Sequence, residues 1–334
     1  MLGINFPEFI RFLMQVGAAV VGAASFWGMV FVWRSRRPGQ DSFRKLAEVL
    51  MRLFTAAFIL FVITWLLGAF IFYPSVATAH EGITLKTMPL YIAAGFRSGA
   101  DLMFLFVLTA LVNFWLYYYR RPLWQKYAVW LFGAQFLLVS AVLLLAVFSG
   151  QYDVRQFYYS FHSWHSIFTL GTVITVDFLF LAVLTLHAHR KTLYNFFFVM
   201  SAFIWAGLGV DFLSNALVFE EAFQFSTQFK FIQTVVAILI INGALLSGRI
   251  SEALTVLKEA DHIGRDTALG KIIGVSGAVS IVSWLTITFV DFFRFGLSYW
   301  QFLLIFLTAI IAAYYLHRPI SYWLGFVFKK HAEE

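Results

Sequence analysis

Two histidines stand three residues apart in Phe161-His162-Ser163-Trp164-His165-Ser166, and an acid, Asp177, follows twelve residues after His165 in an otherwise apolar run. Neutral imidazole is the commonest nitrogen ligand for haem iron, zinc and copper, and it carries protons near neutral pH. At about 100° per residue, a helix gathers His162, His165, Ser166, Thr169, Thr172 and Asp177 into an arc of roughly 140°. The histidine pair is thus spaced to ligate a metal or a haem, and His80, in a preceding loop, is placed to join it. Asp177 lies about 18 Å farther along such a helix, at 1.5 Å per residue. A carboxylate at the middle of a bilayer costs about 2.5–3.5 kcal/mol on insertion scales, so it must be protonated, paired or turned toward a wet cavity. In the last case it is a relay for protons or cations. The plainer alternatives are interfacial histidines bonded to headgroups and a protonated acid bonded to a neighbouring helix.

The rest of the chain says where these groups sit. Its 334 residues are 61% hydrophobic and 12% charged, with a mean hydropathy of +0.81. About 20 apolar residues of helix cross a bilayer. Runs of that kind lie near 9–33, 53–73, 96–118, 127–149, 165–187, 195–217, 231–248, 271–292 and 299–317. They predict an all-α, polytopic transmembrane bundle of about nine spans, with 1–334 as a single transmembrane domain. Hairpin units 9–73, 96–149, 165–217 and 231–292 precede a final span at 299–317. A faint likeness links Gly22 to Gly28, Gly171 to Phe178, and Asn242-Gly243-Ala244, and suggests hairpins stacked around a shared core. No room is left for a sizeable soluble domain. The first run lacks a basic stretch before it and a small-residue cleavage site, so it reads as a retained helix.

Every second connection is basic. Eighteen of the 24 Lys and Arg fall on that side, from Arg34 and Arg36 in the first connection to Lys329 and Lys330 in the tail. The positive-inside rule makes this side cytoplasmic, with the N-terminus outside and the C-terminus inside a multi-pass plasma-membrane protein, the cytoplasmic membrane of a bacterium or archaeon. The net charge of +7 is then a topology signal, and nucleic acid is not an expected partner. Trp and Tyr gather at the ends of the runs, as they do at membrane interfaces. The connection 249–270 reads as a short interfacial helix, and 74–95 as a small outer cap. Acids and histidines concentrate toward the outer half, so a site is expected there.

Cysteine is absent, which removes disulfides, thiolate metal sites, iron–sulfur clusters and covalent c-type haem. No phosphate-binding loop, GxSxG, HExxH or dinucleotide glycine pattern occurs. Asn113, Gln135 and Asn242 fall inside spans and are expected to bond between helices, while Arg97 with Asp101 and Asp291 with Arg294 are natural ion pairs. Ala18/Gly22, Ala24/Gly28, Ala202/Ala206 and Ser276/Ser280 are small pairs at the spacing that permits close helix contact.

The stretch from His162 to about Arg249 resembles the helix-hairpin families typified by the HemJ-type protoporphyrinogen oxidases and the CopD copper-resistance membrane proteins. The likeness rests on His162 or His165 opening a helix, Gly171 farther in, the basic turn Arg190-Lys191, and Lys230 opening the seventh span. The first hairpin, from Trp27 and Arg34 through Arg52 to Gly68, is similar without the opening histidine, and Asn242 stands where a deeper ligand would fall. The resemblance implies a b-type haem held by His162 or His165 with Lys230 nearby, or copper as the alternative. Three functions follow: a membrane redox protein passing electrons to a quinone or partner chain, a proton- or cation-coupled transporter using Asp177, and a non-catalytic subunit scaffolding other membrane chains.

Overall fold

A computed structural model describes residues 6–79, 100–145, 154–186, 190–218, 226–245, 268–292 and 296–330. These residues form nine helices and no strand: α1 Phe6–Ser35, α2 Asp41–Ala79, α3 Ala100–Tyr119, α4 Arg121–Leu145, α5 Val154–Leu186, α6 Arg190–Val218, α7 Thr227–Leu245, α8 Ala268–Phe292 and α9 Tyr299–Lys330. Each coincides with most of one of the apolar runs. Several overrun it, because helix propagation adds one backbone bond per residue and does not stop where hydropathy does. Thus α2 starts at Asp41, an acid suited to a helix N-terminus, and passes Pro74, so the cap read from 74 onward begins as helix. His80, Lys86, Arg97, His187, His189, His262 and Arg294 lie outside the described residues, as does most of 249–270.

Among the described residues, four helices are long and apolar enough to cross a membrane, at Phe12–Ser35, Asp41–Leu67, Thr227–Leu245 and Tyr299–Leu316. Shorter apolar stretches lie at Phe104–Tyr119, Trp164–Leu179, Phe196–Asp211 and Gly274–Ile287.

The chain divides into two compact units. The first comprises residues 4–175 and 205–218, and therefore holds α1 to α4, most of α5 and the end of α6. Its centre is α1, where Val21, Ala23, Ala24 and Phe31 are wholly buried. Small residues let neighbours reach its backbone. A Cβ on Gly17 would stand 3.0 Å from that of Phe61 on α2, and one on Gly28 would stand 3.0 Å from the Phe132 ring on α4. Gly22 comes similarly close to Val139. Around this contact Phe54, Phe58, Phe106 and Phe132 interlock edge-on and tilted, an arrangement worth roughly 0.5–1.5 kcal/mol per pair beyond burial. Between α3 and α4 the predicted polar contacts form: Asn113 donates to Gln135 Oε1 at 3.1 Å and accepts from Trp124 Nε1 at 2.8 Å.

The second unit comprises residues 1–3, 176–204 and 219–334. Phe231 on α7 stacks on Phe302 of α9 with ring centres 5.0 Å apart. Asn242 of α7 bonds Ser276 of α8 twice, through backbone and side chain, as its position inside a span foretold. The small-residue pairing succeeds at Gly22, Gly28 and Ser276 but not at Ala202 and Ala206, which are both exposed on α6. Spacing identifies small residues; it does not say whether another helix occupies their face.

Candidate functional site

In the first unit the start of α5 meets the end of α6. His165 Nδ1 lies 3.2 Å from Asp211 Oδ1, and Ser166 Oγ donates to the same oxygen at 2.7 Å. His162 Nδ1 stands 3.7 Å from it, too far for a hydrogen bond but within ion-pair range when the ring is protonated. Both imidazoles and the carboxylate are buried. Three side chains of α5 therefore converge on one oxygen of α6. Helical spacing explains the convergence: 162, 165 and 166 lie on one face of α5, three and four residues apart.

Aromatic rings lie beside the cluster. Phe161 stacks on the His165 ring at 6.1 Å, and Trp164 lies parallel to Phe168 at 5.8 Å. Farther along α5, Thr169, Thr172 and Thr175 are fully buried. Thr172 donates to Phe168 O and accepts from Trp27 Nε1 of α1, whereas the hydroxyls of Thr169 and Thr175 find no hydrogen-bond partner.

Where the Nδ1–H of a neutral His165 donates to Asp211, the lone pair of the ring falls on Nε2. This is the orientation in which a carboxylate holds a metal-ligating or proton-accepting imidazole. His162, which precedes the apolar stretch Trp164–Leu179, is held toward its neutral form. Burial is the largest cause; Asp211 opposes it and His165 adds to it.

The site residues expected from the sequence are thus partly brought together. His162 and His165 meet, but their partner is Asp211 and not Asp177. Asp177 belongs to the second unit, where it is half-buried with its Oδ2 unbonded. Lys230 also belongs to the second unit and is exposed on α7. His80 lies outside the described residues. In the sequence Asp211 is legible only as an acid near the outer end of the run 195–217. The signal that finds it is hairpin symmetry about residue 188, just before Arg190-Lys191: 165 and 211 each stand 23 residues from it, hence at similar depth.

Among the described residues no group of three or more His, Asp or Glu is arranged to hold a metal ion. Comparison with family models, with curated proteins and with solved structures returns no match.

Proposed function

We propose that this chain is an integral membrane redox protein whose working group is His165, which would hold a b-type haem near the outer leaflet. The observation that carries the reading is the contact between His165 Nδ1 and Asp211 Oδ1 at 3.2 Å, which leaves Nε2 as the ligating atom. Haem suits the donor set better than bare copper. The porphyrin supplies four nitrogens, and the protein needs to add one or two ligands, whereas an ion alone needs three or more donors from side chains. When bound, haem would supply one-electron chemistry, with a quinone or a partner chain as the exchange partner. Asp211 would raise the basicity of the ligand, Ser166 would fix the carboxylate, and the Phe161 and Trp164 rings would keep water from the ring. His162 would stand as the nearby neutral base.

The same proposal takes the nine apolar runs as nine spans, with the basic connections cytoplasmic and the His165 end of α5 outside. It is supported by four helices of crossing length and by exposed apolar side chains such as Phe104, Leu111, Leu304 and Ile311, which water would not solvate favourably. The test is an absorption spectrum with iron and copper analysis of protein purified in mild detergent. A Soret band that His165→Ala abolishes is the expected result. A colourless, metal-free preparation removes the redox reading.

A second reading rests on a separate observation, the buried and unbonded Oδ2 of Asp177. In it the chain couples proton or cation movement to transport through that acid. Proteoliposome flux that Asp177→Asn leaves unaltered would discard this second role.

A further inference from the structure

The structure assigns Gly207 a positioning role: its bare Cα lets α6 close on Thr169 as a clasp that seats Asp211 on His165, and so decides which ring nitrogen keeps its lone pair. On α6, Gly207 lies one turn before Asp211 and on the same face. On α5, Thr169 lies one turn beyond His165 and Ser166 on the face that meets Asp211. The two contacts are successive rungs of one helix seam within the first unit.

The lower rung is unusually close. A Cβ on Gly207 would stand 2.5 Å from Thr169 Oγ1, 2.8 Å from its Cγ2 and 3.2 Å from its Cβ, where ordinary contact begins at 3.4 Å. Rotating Thr169 only exchanges one γ atom for the other. Thr169 also forgoes the backbone bond that Thr172 makes to the preceding turn, and its buried hydroxyl has no hydrogen-bond partner. It is held there by packing, not by bonding. A methyl at 207 must therefore part the helices by up to about 1 Å, since close-packed interiors yield little. The His165–Asp211 contact, at 3.2 Å, has no such slack before it leaves hydrogen-bond range.

The consequence for haem rests on the reading of His165 as the ligand, but the clasp itself is tested without any pigment. Protein labelled with 15N-histidine is reconstituted in lipid, and the ring nitrogens of His165 are recorded by solid-state NMR, with Asp211→Asn marking the resonance positions of the unseated ring. Gly207→Ala is expected to move the ring nitrogens toward that reference. Thr169→Ala alone should leave them unmoved, and Gly207→Ala combined with Thr169→Ala should restore them, because the γ atoms that a methyl would strike are gone. Where Gly207→Ala fails to accumulate, accumulation of the double variant with wild-type shifts is the same restoration. Wild-type shifts in Gly207→Ala overturn the clasp, and so does a double variant that stays displaced or fails to accumulate. A missing Soret band in wild-type protein would end the haem reading and leave this result standing.

Discussion

Asp211 concentrates the chemistry of the first unit into one oxygen, and the side chains around it differ in what they risk. His165 and Ser166 bond it directly, while His162 stands back at 3.7 Å. Burial holds His162 toward neutrality, so protonating it must work against the fold. The folded chain then binds fewer protons than the unfolded chain. Stability is present above the ordinary imidazole value, begins to fall as pH drops through about 6.5, and is fully lost below the folded value. Thermal unfolding in lipid nanodiscs should show a midpoint that falls between about pH 7.5 and pH 5, and His162→Gln should flatten that slope. An identical slope in the variant would show that another group sets it. At this scale the sequence reveals residue types and periodic faces, which is why the histidine pair and its arc on α5 are readable in it. It does not reveal partners from a different helix. Asp211 is visible as a carboxylate, yet its contact depends on how α5 and α6 cross, and the lone periodicity of either helix is silent on that.

Helices carry the next level of specification. On α5, Gly171 faces α1 so closely that an added Cβ would collide with the backbone oxygen of Ala19. Neither helix can retreat by a side-chain rotation, because one of the colliding atoms is main chain. Gly171→Ala should therefore destabilise the protein by about 3 kcal/mol, at the upper end of overpacking penalties. Gly209, on an exposed face of α6, has nothing within 4 Å of the same added atom. Gly209→Ala should be neutral or gain up to about 1 kcal/mol from helix propensity. Comparing both by thermal unfolding in one lipid mixture checks the pair; equal effects would refute the close crossing. The interhelical amides Asn113, Gln135 and Asn242 are legible in the sequence, since a polar side chain inside an apolar run must find a partner. The glycine contacts are not equally legible. Small residues at four-residue spacing mark Gly22 and Gly28 and also Ala202 and Ala206, and only the packing of neighbours separates the first two from the last two.

For the molecule as a whole, hydropathy forecasts nine helices and the described residues contain nine, because window-averaged apolarity is a property of each segment alone. The division into two units is not visible in that signal. α5 and α6 each contribute to both, so no break in composition marks the boundary. Orientation is open to direct measurement, since a chain without cysteine accepts single cysteines as clean reporters. Asp41, within the first basic connection, and Ser298, between α8 and α9, are both exposed. The proposed topology puts them on opposite sides. A membrane-impermeant maleimide added to intact cells should label Ser298→Cys and spare Asp41→Cys until the membrane is opened; the reverse pattern would invert the assignment.

The burial of α1 carries a consequence for how the chain is made. Its apolar stretch is 72% covered, and one of the covering contacts, Ala19 against Gly171, joins the first helix to the fifth. At roughly 5–20 residues per second, the ribosome needs on the order of ten seconds after releasing residue 19 before residue 171 exists. Throughout that interval the strip of α1 destined for α5 faces something other than its final neighbour. Synthesis thus leaves a timed opening on the nascent chain, one that an insertion machine or an assembly factor must shelter until translation reaches the fifth helix.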